Sequence, residues 1–211
     1  MNCRRSETRP SSVPDVKLRL PDVVLLFVLG GGAALIGDHS HVVTGTTEYY
    51  TDAAPFLWSS PLWFPLLVGG ATVSLAELRL HLPAPRPTVT VRQGLAGVAV
   101  VVGMYVTTAL TRGAPVVPAT TLICVAAVVT WCVLGDGPGA ICGGVAAIVG
   151  PAVEIGLVQV GVFAYTDGSD GLFGVGPFLL PLYFAFGVVV ALLGELLAAR
   201  HAALSRAPGA C

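Results

Sequence analysis

Charged residues are scarce in this chain. Of its 211 residues, 11% are Asp, Glu, Lys or Arg and 55% are hydrophobic, and the mean hydropathy is +0.82. A soluble domain carries about 25% charged residues, so a soluble globular protein is excluded and an integral membrane protein is predicted. Lysine is almost absent, with Lys17 alone against ten arginines, and the basic residues form no patch with interleaved aromatics. A nucleic-acid partner is therefore not expected.

Cysteines are few, and the common catalytic motifs are absent. The cysteines show no metal-ligand spacing, and they are Cys3, Cys124, Cys132, Cys142 and Cys211. Three lie in apolar segments and two near the termini. They are therefore interpreted as small core residues and free thiols, not as a disulfide framework. The sequence contains no nucleophile elbow, phosphate loop, haem motif or kinase signature. Neither a cofactor nor a metal is predicted.

The sequence is dominated by long apolar runs. Six of them approach the length of about 20 residues that a bilayer core requires. They cover residues 21–37, 61–78, 94–110, 113–135, 137–166 and 171–197. A basic start before a short apolar run also fits a signal peptide, but the five further runs favour a retained first helix. We therefore predict an all-α integral membrane protein, a bundle of six transmembrane helices between a polar basic segment (1–20) and a short tail (198–211).

The distribution of charge gives this bundle an orientation. An even number of spans places both termini on one side, and that side receives ten of the eleven basic residues. Arg112 lies opposite, with the acidic residues Asp38, Glu48, Asp52, Asp167 and Asp170. By the positive-inside rule, both termini are predicted to be cytoplasmic. The protein would then lie in the inner membrane of a bacterium, which the preference for Arg, Ala, Val and Gly suggests, or in the endoplasmic reticulum of a eukaryote.

One carboxylate, Glu154, lies near the middle of the fifth run. A charge at that depth is costly, so it usually faces a bundle interior, a partner or a water-filled cavity. Pro151 removes a backbone donor three residues earlier and predicts a kink. Three roles stay open: a hydrogen bond between helices, a contact with the polar group of a ligand, and proton transport. The candidate neighbours are Tyr105, Thr107 and Thr108 of the third run, and Gln159.

A second polar constellation, Asp38-His39-Ser40-His41, follows the first run, and Glu48 and Asp52 come shortly after it. Imidazole and carboxylate groups together can bind zinc or perform acid–base chemistry. A small membrane enzyme or carrier that uses Asp38, His39 and His41 is therefore an alternative function. No H-E-x-x-H pattern is present, and a polar helix end in the headgroup region explains the same residues.

Other polar and small residues have structural explanations. Glu77, beside Arg79, and Glu195, beside Arg200, are interpreted as interfacial side chains that reach water. Asp136, in a short turn, is expected to be a turn residue or a helix cap. Glycines inside the runs are expected to let helix backbones approach closely, with a hinge as the alternative; they are Gly30 to Gly32, Gly69-Gly70 and Gly143-Gly144.

Several short motifs occur in the order that one membrane family shows. The motif Trp58-Ser59-Ser60-Pro61-Leu62-Trp63-Phe64-Pro65 leads into the second run, and the third run contains Val100-Val101-Val102-Gly103. Trp131 lies near the end of the fourth run and Asp136 follows that run, and Gly161-Val162-Phe163-Ala164-Tyr165-Thr166 is followed by Asp170 and Pro181. This series resembles the Insig (insulin-induced gene) family over about residues 22 to 197.

The resemblance implies a non-enzymatic membrane protein that holds a diacylglycerol-like or sterol-like lipid in an intramembrane cavity. By position, Val101 matches a pocket residue and Asp136 matches a residue that binds a membrane-protein partner. The predicted ligand-binding residues are Val101, Tyr105, Glu154 and Gln159. A homo-oligomer and a purely structural subunit of a larger complex stay open.

Overall fold

The computed structural model describes residues 17–50, 55–83, 85–86 and 88–206. Its helices are α1 (Leu20–Val43), α2 (Trp63–His81), α3 (Val91–Leu110), α4 (Val116–Leu134), α5 (Gly137–Gln159) and α6 (Leu179–Arg206). Its strands are β1 (Thr47–Tyr49), β2 (Phe56–Leu57), β3 (Ser60–Pro61) and β4 (Phe163–Tyr165). The predicted helices are present, but the all-α class omitted these strands. Arg4, Arg5, Arg9, Asp52 and the end of the predicted tail lie outside the described residues.

The bundle is built around one buried helix. Within the described part of the chain, α1, α3, α4, α5 and α6 are long and apolar enough to cross a membrane. The apolar window of α6 is 72% buried, against 17–33% for the other four. This follows from its position, because α6 contacts α2, α3, α4 and α5, while α1 packs on α2 and α3.

The helices alternate in direction, so the bundle has two ends. We call the end where α1 begins and α6 ends the terminal face, and the opposite end, which carries the strands, the strand face. One apolar cluster includes Leu26, Leu75 and Leu197, and a second includes Met104 and Phe178. The core therefore extends along α6 from one face to the other.

The strands form two small antiparallel sheets at the strand face. β1 pairs with β4, with Thr47 opposite Tyr165 and Tyr49 opposite Phe163. β2 pairs with β3 in a hairpin, in which Leu57 lies opposite Ser60. The β1–β4 pair joins the connection after α1 to the connection after α5, although more than a hundred residues separate them.

The end of α5 corrects the predicted fifth span, which extended to residue 166. The helix ends at Gln159, and Gly161 adopts a φ of +73°. The Gly161 amide donates to Val158 O and the Val162 amide donates to Leu157 O, each at 3.0 Å. This is the hydrogen-bond pattern of a Schellman motif, in which glycine takes the left-handed position at low cost. The chain then leaves the helix axis as β4. Similarly, α6 begins at Leu179, not at residue 171.

The expected close packing at glycines is confirmed at several positions. A Cβ on Gly30 would lie 2.0 Å from Thr72 Oγ1, and one on Gly143 would lie 2.9 Å from Phe184 O. By contrast, a Cβ on Gly32, Gly70 or Gly144 would meet no atom within 4 Å. Closely packed glycines such as Gly30 and Gly143 allow two helices to approach each other, whereas the other three border open space.

Candidate functional site

Glu154 of α5 is 6% exposed and accepts hydrogen bonds from two tyrosines. The Tyr165 hydroxyl, from β4, lies 2.6 Å from Oε2, and the Tyr183 hydroxyl, from α6, lies 2.5 Å from Oε1. Burial raises the pKa of Tyr165 well above its ordinary value, and the charge of Glu154 raises it further. The Tyr165 hydroxyl therefore stays protonated and acts as a donor. Each carboxylate oxygen is held by a different structural element.

The predicted partners of Glu154 in α3 have other contacts. Thr107 Oγ1 donates to a carbonyl of its own helix at 2.7 Å, and Thr108 Oγ1 lies 2.8 Å from His41 Nε2. The prediction that these threonines are hydrogen-bond partners of Glu154 is wrong. Helix α5, which carries Glu154, packs on α6, whereas α3 packs on α1, α4 and α6. The broader expectation of a hydrogen bond to another helix is confirmed by Tyr183.

The depth of Glu154 also differs from the expectation of a mid-membrane carboxylate. Because α5 ends at Gln159, Glu154 lies five residues from the end of the helix. At a rise of about 1.5 Å per residue, this is about 8 Å below the strand face. The two tyrosine hydroxyls hold the carboxylate inside the bundle at this depth.

A small inner cavity lies between α1, α2, α3 and α6 beside this carboxylate. Val101, Tyr105 and Glu154 line it, so the structure brings together three of the four predicted ligand-binding residues. Gln159 is exposed at the end of α5 and is not among them. The volume is about 50 Å³, which suits a few water molecules and not a lipid.

A larger opening lies on the other side of Glu154, and we call it the lateral cleft. It has a volume of about 580 Å³ and lies between α2 and α5, with Tyr183 and Phe186 of α6 as its floor. Ser74 and Glu154 are polar residues in its lining, which is otherwise mostly apolar side chains and glycine. Its volume falls in the range of about 300–1,000 Å³ typical of ligand pockets.

Asp38 belongs to a separate buried cluster at the strand face. It lies in the last turns of α1, is 4% exposed, and accepts hydrogen bonds from Ser60 Oγ and from the Tyr49 hydroxyl at 3.0 Å. Burial and the Asp38 charge raise the pKa of Tyr49, so this hydroxyl also remains a donor. The carboxylate thus links α1 to both small sheets.

The histidines beside Asp38 do not converge with it on one site. His39 Nδ1 lies 3.0 Å from Ser59 Oγ, whereas His41 is buried and bonded to Thr108. Nowhere in the described ranges do three His, Cys, Asp or Glu side chains stand close enough together to hold a metal ion. The observed contacts of Asp38, His39 and His41 join α1 to neighbouring segments of the bundle.

Four charged side chains form a network at the terminal face. Arg79 is fully buried and bonds to Glu195 and, at 3.0 Å, to Asp136. Arg86 Nη2 lies 2.7 Å from Glu195 Oε2. Glu195 is 1% exposed, so its interpretation as a side chain that reaches water beside Arg200 is wrong. It turns toward Arg79 because α2 and α6 are in contact.

Asp136 belongs to the same network and also begins α5. Its Oδ1 accepts a hydrogen bond from the Gly139 amide at 2.7 Å, which confirms the predicted helix cap. Its Oδ2 faces Arg79. Both oxygens therefore bond within the chain, although 20% of the side chain remains exposed.

No family model matches this sequence. The INSIG protein homolog of Mycolicibacterium vanbaalenii is 70% identical over 203 residues, which cover 92% of this chain and 100% of the relative. The chain belongs to the Insig family. The crystal structure of MvINS, a mycobacterial Insig homolog from Mycobacterium vanbaalenii, matches with a TM-score of 0.87 and 73% identity, covering 87% of this chain and 97% of MvINS. A cross-linked trimer of an MvINS cysteine variant matches equally well, at 72% identity and the same coverage.

The Insig resemblance is confirmed, and its motifs provide hydroxyls that hold the buried carboxylates of Glu154 and Asp38. The Gly161–Thr166 motif ends α5 and carries Tyr165 to Glu154. The 58–65 motif forms β3 and carries Ser60 to Asp38. Sequence reasoning missed Tyr165 and Tyr183 as partners of Glu154. The position of Tyr165 in the strongest motif was the available signal, and nothing in the sequence singled out Tyr183.

Proposed function

We propose that this Insig protein is a non-enzymatic membrane protein that holds one lipid in the lateral cleft, with the polar group of the lipid at Glu154. One observation carries the proposal. An apolar cleft of about 580 Å³ reaches a carboxylate that two tyrosines hold in place. A lipid-sized space with one fixed polar group suits recognition of a lipid better than it suits catalysis.

The chemistry of Glu154 favours a lipid that carries a hydroxyl group. A carboxylate offers about four acceptor positions, and Tyr165 and Tyr183 donate to two of them. A diacylglycerol-like or sterol-like hydroxyl can donate to a third. Because bilayer lipid is already in an apolar solvent, burying its chain in the cleft gains little free energy. Hydrogen bonds and shape must therefore provide most of the selectivity.

The contacts at the strand face support a non-enzymatic function. Asp38 accepts from two hydroxyls, and His41 is buried against Thr108. These groups are engaged in holding α1, the sheets and α3 together. The enzyme or carrier based on Asp38, His39 and His41 has no comparable support.

We also propose that all six helices span the inner membrane of a bacterial cell and that both termini lie in the cytoplasm. The last turns of α2 bear Glu77, Arg79 and His81, and pairing of Arg79 with Glu195 and Asp136 lowers the cost of placing this helix in the bilayer. The cross-linked MvINS trimer supports a homo-oligomer. Binding of a membrane-protein partner through Asp136 stays a prediction.

Native mass spectrometry of the purified protein tests the lipid proposal. We expect a bound lipid that survives detergent exchange in the unmodified protein and is lost in Glu154→Leu. Glu48→Leu is the matched control, since Glu48 is an exposed glutamate at the strand face. A Tyr183→Phe variant provides a milder second test, because it removes one donor while keeping the ring. Full retention of the lipid by folded Glu154→Leu protein would refute the assignment.

A further inference from the structure

Two tight turns at the strand face carry bulky aromatic side chains at backbone positions that favour glycine. Trp58 has a φ of +56° and Phe173 has a φ of +52°, and they are the two non-glycine residues with positive φ in the part of the chain that the structure describes. We propose that both side chains are membrane anchors, which insert into the headgroup region of the leaflet next to the strand face. This places the two small sheets in the surface layer of the bilayer and not in the water above it.

The Phe173 turn is closed by two hydrogen bonds. The Leu172 amide donates to Val175 O at 2.8 Å, and the Val175 amide donates to Leu172 O at 3.0 Å. Phe173 and Gly174 are the two residues between them, and the φ of Gly174 is +91°. Positive φ at both central positions is the feature of a type I′ turn, in which Asn, Asp or Gly is preferred. Phe173 therefore occupies a position that disfavours it, and its side chain is 77% exposed.

The Trp58 turn joins β2 to β3. Leu57 lies opposite Ser60, so Trp58 and Ser59 form a two-residue hairpin loop. Positive φ at the first of these two positions is typical of a type II′ turn, which has glycine there. For a bulky residue such a φ is a steric outlier. The Trp58 side chain is also 66% exposed, as that of Phe173 is.

The exposure of both rings indicates that packing inside the protein does not compensate for the strained backbone. Outliers of this kind cluster at functional positions, where another interaction offsets their cost. In water the two turns would combine an unfavourable φ with exposed aromatic surface. At the surface of a bilayer the same side chains are favourable, because an aromatic ring buries its apolar body among lipids and its edge reaches the headgroups.

Contacts with neighbouring helices fix the level of both turns along the bundle. The Trp58 ring centroid lies 5.6 Å from that of His39, and Ser59 Oγ lies 3.0 Å from His39 Nδ1. A Cβ on Gly174, beside Phe173, would lie 3.1 Å from Val158 Cγ1. His39 lies four residues before the end of α1, and Val158 lies one residue before the end of α5. Both turns are therefore level with the last turns of these helices, within about 6 Å of the helix ends.

These helix ends coincide with the headgroup region. α1 has 24 residues and α5 has 23, so each is about 35 Å long at about 1.5 Å per residue. A hydrocarbon core is about 30 Å thick, and a bilayer with its headgroups is about 40–45 Å thick. The last turns of both helices thus lie at the boundary between the hydrocarbon and the headgroups. This is the level at which tryptophan is enriched in membrane proteins.

The apolar surface of each turn continues onto the flank of a helix. After the Trp58 turn, Leu62 is 40% exposed and Leu66 is 50% exposed, and near the Phe173 turn Val160 is 74% exposed. The sequence has no charged residue from 53 to 76 or from 171 to 194. No charge therefore separates either turn from the helix that follows it. Lipid that covers the helix flanks covers the turns as part of the same surface.

Single-tryptophan proteins in nanodiscs measure the depth of both side chains. The sequence contains three tryptophans, so the full chain with Trp63→Phe and Trp131→Phe keeps Trp58 as the reporter. Phe173→Trp, in a chain whose three native tryptophans are replaced by Phe, reports the second turn. We expect both reporters to emit at shorter wavelength than tryptophan in water. Lipids brominated near the glycerol end of the chain should quench them most, lipids brominated near the chain end less, and aqueous iodide least.

Each alternative gives a different pattern of quenching. Strong quenching by iodide places the turns in water, as a surface that binds a soluble partner requires, and overturns the proposal. Stronger quenching by the bromine near the chain end than by the one near the glycerol overturns the assignment to the headgroup region. Weak quenching by all three agents means that protein covers the turns, as in an interface with a second copy of the chain, and also overturns the proposal.

Thermal melting in detergent separates anchoring from packing within the fold. Phe173→Asn introduces a residue that the type I′ turn prefers, so Tm should stay the same or rise. Phe56→Asn is the matched control, because Phe56 belongs to β2 and its ring centroid lies 5.9 Å from that of Tyr49; this variant should have a lower Tm. An equal decrease in both variants assigns the Phe173 ring to the packing of the fold and overturns its role as an anchor.

Discussion

Substitution of Arg79 by methionine tests the ion network at the terminal face. The Arg79 guanidinium is fully buried and bonds to both Glu195 and Asp136. Methionine keeps part of the apolar length of the side chain and removes the charge. Glu195 then retains its bonds to Arg86, while Asp136 retains the helix cap and a longer contact of 3.7 Å to Arg86.

The expected cost follows from the burial of these groups. Removing one partner of a buried ion pair costs about 3–5 kcal/mol. Because Arg86 stays 2.7 Å from Glu195, we expect the lower end of that range. A loss of about 3 kcal/mol in the free energy of unfolding corresponds to a decrease of about 6–12 °C in Tm for a chain of this size.

Thermal unfolding of the purified protein in detergent, followed by circular dichroism, measures this decrease. Arg92→Met is the matched control, because Arg92 is an exposed arginine at the start of α3 on the same face, and its loss should change stability by less than about 0.5 kcal/mol. A double variant that also carries Glu195→Met should show a coupling energy of about 0.5–3 kcal/mol. Equal melting of Arg79→Met and Arg92→Met would refute the reasoning and restore the view that Glu195 is a solvated interfacial charge.

Two further predictions concern the strand-face half of the bundle. Gly37→Ala should destabilise the protein by about 1–3 kcal/mol through overpacking, because its Cβ would lie 1.9 Å from Cδ1 of the Tyr105 ring. In the same melting assay Gly32→Ala, which meets open space, should be neutral or slightly stabilising, and similar values for the two variants would contradict the packing argument. Tyr165→Phe removes one of the two donors to Glu154 and should cost about 1–3 kcal/mol; an unchanged Tm would show that this hydroxyl does not contribute to stability.

The end of α5 shows most clearly where the structure departs from the sequence-based prediction. The run from 137 to 166 was apolar enough to be read as one helix, since hydropathy does not distinguish a helix from a short buried strand. The left-handed Gly161 and the pairing of β4 with β1 end the helix seven residues earlier, at Gln159. That change moves Glu154 from the expected middle of the membrane to a position near the strand face.

The candidate site was predictable in part. Val101, Tyr105 and Glu154 were chosen from the sequence, and they line one cavity. Gln159 was chosen for its spacing from Glu154 and is exposed at the end of the helix. The lateral cleft was not foreseen, because a space between α2 and α5 depends on how both helices pack against α6.

The sequence by itself was enough to predict that this protein lies in a lipid bilayer and to which family it belongs. A bilayer selects for composition along each segment, so long apolar runs, scarce charge and the order of short motifs can be read locally. Only the tertiary structure decided which groups meet. Glu154 with Tyr183, and Arg79 with Glu195, are pairs from different helices, and no local rule of sequence states which helix packs against which. The buried carboxylate of Glu154 was therefore evident in the sequence, while its partners, the burial of Glu195 and the cleft follow from the packing around α6.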